Sequence, residues 1–161
     1  MKNLNILTRA FTAISLILLT SCTMGQTQNS KPTESDADKI IGAWRSAARD
    51  SEMEIYKSGN LYYAKMLAGW GNDMYESDGK TLAKDNKNPD AKLRNRPLLN
   101  LVFITDINYK NGAYTGGKLY LAKDGEMLKC DMKFEGEKLT MKWYSDNQLF
   151  GPTKKIWSRI K

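Results

Sequence analysis

The stretch LVFITDINYKNGAYTGGKLYLAKDGEMLKCDMKFEGEKLTMKWY, residues 101–144, decides the fold. Asn111-Gly112 is its strongest hairpin signal, because both central residues of a type I′ turn take positive φ, which Asn and Gly tolerate best. It joins an apolar strand over 101–108 to a second over 113–121. Asp124-Gly125 then turns the chain into 127–134, where Leu128, Cys130, Met132 and Phe134 share one face and Lys129, Asp131 and Lys133 the other. Period-two alternation of this kind belongs to a strand that is buried on one side and wet on the other. Glu135-Gly136-Glu137 leads into 138–144, with Leu139, Met141 and Trp143 inward.

The pattern extends in both directions. Upstream, 42–48 and 52–57 alternate, and Ser58-Gly59-Asn60 turns the chain into 61–67. Downstream, Gly151-Pro152 precedes a last strand over 154–160. No segment sustains a helical period. About eight strands with tight sequential connections predict an all-β fold, and a meander of that size removes its unpaired edges by closing into an up-and-down barrel. Eight strands enclose a lumen that side chains just fill or that holds one small ligand.

One connection breaks the rule. Residues 69–100, between the third and fourth strands, form a loop far longer than the roughly 12–15 residues at which a structureless connection becomes unusual. Its Trp70, Met74, Tyr75, Leu82, Leu93, Leu98 and Leu99 argue for packing, with a helical turn near 91–95. Asp85, Asn88, Asp90, Arg94 and Arg96 are its candidate site residues. Either the two arginines grip a carboxylate or phosphate, or they pair with Asp85 or Asp90 and pin the loop over the barrel. Asp85 and Asp90 also suit ordinary turns beside Pro and Asn.

The N-terminus carries a different message. Lys2 and Arg9 precede an apolar run over 10–19, and Leu19-Thr20-Ser21-Cys22 follows. A basic segment, about 10 apolar residues and small residues before the cut make an export signal, too short for the roughly 20 residues of a permanent span. Leucine and two small residues ahead of cysteine resemble the lipobox of bacterial lipoproteins, with cleavage before Cys22 and acylation of its sulfur. Residues 1–21 are thus read as a signal peptide, 22–38 as a flexible tether with Met24 its one large apolar residue, and 39–161 as a single barrel domain. Thr23 lacks the aspartate that retains some lipoproteins at an inner membrane, so the expected location is the periplasmic face of an outer membrane.

Composition narrows the chemistry. The 161-residue chain has no histidine, which removes Ser-His-Asp and Cys-His catalysis and the common zinc sites. With Cys22 acylated, Cys130 is left without a disulfide partner and is expected to be buried and inert. No catalytic residues, metal ligands or cofactor are predicted, so the expectation is a protein that is not an enzyme. Lys and Arg number 25 against 18 Asp and Glu, a net +7. An exported protein does not meet nucleic acid, and lysines spread over strands also keep a barrel surface from aggregating.

Several segments together resemble a known family. In order they are Gly42-Ala43-Trp44, Asp85-Asn86-Lys87-Asn88-Pro89-Asp90 running on to Leu93-Arg94-Asn95-Arg96-Pro97-Leu98, Gly116-Gly117-Lys118-Leu119-Tyr120, and Phe150-Gly151 ahead of Trp157-Ser158-Arg159. They are similar to the small secreted bacterial proteins called domain of unknown function 2147, over residues 41–161. Asn100 stands where that family tends to have glycine, Leu121-Ala122 replaces Asp-Pro, and Lys142-Trp143 replaces Arg-Gly. The resemblance implies a fold and a location more than an activity. A wider resemblance, to lipocalins and other calycins, implies that Arg159 of the last strand covers Trp44 of the first and closes the barrel structurally.

Two functions follow as expectations. The first is binding of a small apolar or amphiphilic ligand in the barrel, with the loop 69–100 as lid or rim. The alternative is a protein-interaction module of the cell envelope with a filled core and a basic surface. Either way the protein is held at the membrane through Cys22.

Overall fold

The computed structural model describes residues 34–69, 74–147 and 151–161. Cys22 and the rest of 1–33 lie outside the described residues, as do Trp70, Asp73 and Phe150.

Eight strands run β1 (Gly42–Ser46), β2 (Ser51–Ser58), β3 (Leu61–Gly69), β4 (Val102–Lys110), β5 (Ala113–Leu121), β6 (Glu126–Glu135), β7 (Lys138–Tyr144) and β8 (Thr153–Arg159). Each pairs antiparallel with the next, and β8 returns to β1 through Trp44 opposite Arg159 and Ser46 opposite Trp157, so the barrel is closed. Closure leaves no strand edge to aggregate. The predicted turn Asn111-Gly112 has φ of 52° and 78°, as type I′ geometry demands. Asn100 sits at φ 62°, the left-handed region, which asparagine tolerates better than most residues other than glycine.

Inward residues from every strand fill the lumen, among them Trp44, Ile55, Tyr62, Leu119, Met141 and Trp157, all fully or almost fully buried. Gly117 lets β5 and β6 come together: a Cβ there would lie 2.7 Å from Ile107 Cγ1 and 2.8 Å from Cys130 Sγ.

At two places buried apolar residues stand side by side in one strand. Phe103 and Ile104 are both buried, as are Leu119 and Tyr120. Leu119 points into the lumen, so Tyr120 and Phe103 face outward and need a cover. Residues 84–98 of the long loop supply it as a strap across the outer wall, with a 3-10 turn at Ala91–Leu93. Gly125, in the β5–β6 turn, meets the Lys87 carbonyl so closely that a Cβ would collide with it. Met74 and Leu98 of the same loop join the buried core.

Helical structure covers part of the segment that composition assigns to a tether. Residues 34–38, counted with the tether in the sequence, form α1 (Glu34–Ala37) and the start of the 3-10 turn Asp38–Ile40. Polar bonds hold them: Asp38 accepts from the Tyr62 hydroxyl at 2.6 Å and from Lys57 Nζ at 2.9 Å, and the Tyr114 hydroxyl donates to the Ala37 carbonyl at 2.8 Å. A hydropathy reading passes over such a segment because Ala37, its apolar residue packed against the core, is small and only partly buried.

Candidate functional site

An up-and-down barrel collects alternate turns at one end. Here the β2–β3, β4–β5 and β6–β7 turns, the entry to β1 and the exit from β8 share an end, while the strap belongs to the other. At the first end a cleft of about 800 Å³ opens between the N-terminal turn, the β4–β5 and β6–β7 turns and the C-terminal residues. That volume lies within the roughly 300–1,000 Å³ of small-molecule sites.

Its floor is aromatic, made by Trp44, Tyr109, Tyr114 and Phe134. Phe134 lies 5.8 Å from Trp44 and 6.3 Å from Tyr114, centroid to centroid, and Tyr109 lies 4.8 Å from Tyr114. Tilted and edge-on pairs of this kind hold one another in place and present an apolar surface with polar tips. Burial raises the Tyr114 hydroxyl above the usual tyrosine range, which keeps it a neutral donor to the N-terminal turn.

The rim is charged. Lys39, Lys138, Arg159 and Lys161 line it with Asp36 and Glu137. Lys39 is paired with Asp36 at 2.6 Å, and Arg159 donates to backbone carbonyls. Lys138 donates to Ser158 Oγ at 2.8 Å, a neutral partner. Lys138 and Lys161 are therefore the cations best placed to meet an anionic group. Apart from Trp44, Ser158 and Arg159, the cleft was not visible in a motif, since its contributors come from two hairpin turns and both ends of the domain. The signal available was topological: strand order alone brings those turns together.

Trp44 and Arg159 close the same end. Arg159 Cζ stands 4.4 Å from the Trp44 ring centroid, its guanidinium donates to the Ile41 carbonyl at 2.7 Å and to the Lys39 carbonyl, and Trp44 Nε1 donates to the Ile40 carbonyl at 2.8 Å. Gly42 makes room, for at φ 130° a Cβ would lie 2.6 Å from Arg159 Nη1.

The loop residues singled out in the sequence meet one another at the opposite side of the molecule. Asp85 is fully buried and accepts from Asn88 Nδ2 at 2.7 Å, from Arg96 Nε and Nη2 at 2.8 Å each, and from the Tyr120 hydroxyl at 2.6 Å. Arg94 Nε donates to the Asn88 carbonyl at 2.7 Å, while Asp90 accepts from the Lys92 amide and caps the 3-10 turn. The Tyr120 hydroxyl is pushed up to about 12 by burial and by the Asp85 carboxylate it serves. These five residues thus order the strap, and their charges are largely consumed within it. Cys130 is buried, and burial raises its thiol to about 12. Among the described residues no group of three or more His, Cys, Asp or Glu is placed to hold a metal ion.

A closed eight-stranded antiparallel barrel of this kind is a lipocalin-like fold. A solved structure of that class is similar: protein HP1028 from the human pathogen Helicobacter pylori, described as belonging to the lipocalin family. It superposes with a TM-score of 0.61 at 23% identity, covering 76% of this chain and 83% of its own. The chain belongs to the bacterial family DUF2147, described as uncharacterized protein conserved in bacteria, whose profile matches residues 42–159. No curated protein matches the chain in sequence.

Proposed function

We infer that this is an exported, lipid-anchored and non-enzymatic envelope protein that binds a small amphiphile at the N-terminal end of its barrel. The observation carrying this reading is the cleft: an aromatic floor of Trp44, Tyr109, Tyr114 and Phe134 beneath Lys138 and Lys161 suits an apolar body with an anionic head. The ligand sits in the barrel's mouth, since core side chains occupy the lumen beneath. Anchoring is supported by the order of basic, apolar and small residues ahead of Cys22. Two acyl chains or more would make it stable, and Thr23, where a retention signal would have aspartate, favours the periplasmic face of an outer membrane.

Native mass spectrometry of the full chain, purified from its bacterial envelope, tests the reading. A small molecule that is released on denaturation, and that is missing from Lys138→Glu and Phe134→Ala, is the expected result. An apo mass, with no stabilisation by a panel of anionic amphiphiles, overturns it. For the anchor, Cys22→Ser is expected to move the protein from the membrane to the soluble fraction.

A further inference from the structure

Asp36 and Lys39 line the cleft, so the N-terminal segment joins the barrel at the cleft's own mouth. Its place there is fixed. The Tyr114 hydroxyl donates to the Ala37 carbonyl at 2.8 Å, and Asp38 accepts from Tyr62 and Lys57 at 2.6 and 2.9 Å. Glu34, the first residue of α1, is only the twelfth residue after Cys22. A stretch of that length spans at most about 40 Å even when fully extended. The nine-residue strands β4 and β5 are themselves about 30 Å long. An anchor at Cys22, with a reach of the order of the barrel's own length, therefore presents the cleft end to the bilayer and turns the strap end away.

We propose that the cleft opens toward the bilayer that anchors the chain, and that its ligand is a phospholipid drawn from that bilayer. The inference rests on the acylation of Cys22 and on the cleft as an amphiphile site, and adds to them where the ligand comes from and by which route. The mouth has matching chemistry. Tyr109 is half-buried between floor and rim, and tyrosine suits a boundary that is apolar on one side and wet on the other. Lys138 and Lys161 are exposed, and the partner of Lys138 is the neutral Ser158 hydroxyl. Asp36 and Lys39 neutralise each other, so Glu137 stands against Lys138, Arg159 and Lys161 and the mouth keeps a positive balance for a lipid phosphate. A free amphiphile reaches this site from solution whatever the tether's length; a bilayer lipid depends on the tether.

The test places the acylated full chain, purified from its bacterial membrane, in vesicles of phosphatidylethanolamine and phosphatidylglycerol that carry a trace phospholipid with a photoreactive acyl chain. Flotation reports anchoring, and peptide mass spectrometry after irradiation maps the adducts. They are expected on Tyr109 and Phe134, at least tenfold more than on Met127 of the outer wall, and several-fold fewer in Lys138→Glu. A Gly-Ser insertion of about 36 residues ahead of Glu34 makes the tether four times as long and should cut the cleft adducts about eightfold, since effective concentration falls roughly as the −3/2 power of length.

Adducts concentrated on the strap or the β5–β6 turn overturn the proposal, as do cleft adducts indifferent to the insertion. An anchored chain whose cleft takes no lipid overturns it too. Thermal stabilisation by dodecyl phosphate, lost in Lys138→Glu, then leaves the amphiphile reading standing, and no stabilisation removes both. A chain that does not float with the vesicles overturns the anchor and this proposal with it.

Discussion

The Tyr120 hydroxyl donates to Asp85 Oδ1 at 2.6 Å, which ties the outer face of β5 to the strap, 35 residues earlier in the chain. The other carboxylate oxygen takes Asn88 Nδ2 and the Arg96 fork, so one buried charge organises three parts of the strap and one strand.

Removing that charge should release the strap. Asp85→Ala leaves Tyr120, Asn88 and the half-buried Arg96 without their acceptor, and breaking a buried pair from one side costs about 3–5 kcal/mol. Tyr120→Phe removes one hydrogen bond and should cost about 1–2 kcal/mol. Urea unfolding measures both. Hydrogen exchange should show 84–98 losing protection in Asp85→Ala while the β6–β8 amides keep theirs; equal loss everywhere would rule out a local strap.

The barrel end makes a separate prediction. Arg159→Lys keeps the charge but loses the planar fork that reaches two carbonyls while covering Trp44, and should destabilise by about 1–2 kcal/mol. Gly42→Ala should act on the same contact from the other side, because its Cβ displaces Arg159 Nη1 and its φ of 130° strains any L side chain. If the two share a mechanism, the double variant in urea costs less than the sum of the singles.

What the sequence revealed depended on whether the signal was local. Asn111-Gly112, Gly136 and the alternation of 127–134 each specify a turn or a face by themselves, and the eight strands follow from them. The strap's seat could be seen only in the double-faced runs Val102-Phe103-Ile104 and Leu119-Tyr120-Leu121, since a strand apolar on both faces needs a second covering layer. Those runs read as strong strands, so the sequence points to a lid or rim, whereas the middle of the loop lies on the wall. The cleft had no local signal: Tyr109, Phe134, Lys138 and Lys161 are ordinary strand and turn residues until topology assembles them.

Cys130 offers a test of core packing. Its thiol, buried and raised to about 12, should not react with a thiol reagent in the folded Cys22→Ser protein and should react fully in denaturant. Gly117→Ala pushes a methyl against Cys130 Sγ and Ile107, where overpacking costs about 1–3 kcal/mol. That variant should also expose the thiol to reagent faster. Rapid labelling of the unmutated core would contradict the packing described.

Acid should loosen both barrel ends. In the β1–β2 loop Asp50 accepts from Lys155 Nζ of β8 at 2.8 Å and from the Ser46 and Ser51 hydroxyls at 2.5 and 2.9 Å. Lys155, followed by Ser46, holds its carboxyl down at about 2, against an ordinary 3.8. A carboxylate depressed in the folded state adds stability above its unfolded value and loses it as pH falls toward the folded one. The contribution is therefore complete above about pH 4 and gone near pH 2. Half of the side chain is open to water, so screening keeps it below about 1 kcal/mol. Asp38, held down by Tyr62 and Lys57, has the same sign at the other end. Unfolding free energy measured from pH 5 to 2 should fall more steeply in the parent than in Asp50→Asn, and Lys155→Met should flatten the curve as Asp50→Asn does. Parallel curves would mean that the loop is not held to β8 by this pair.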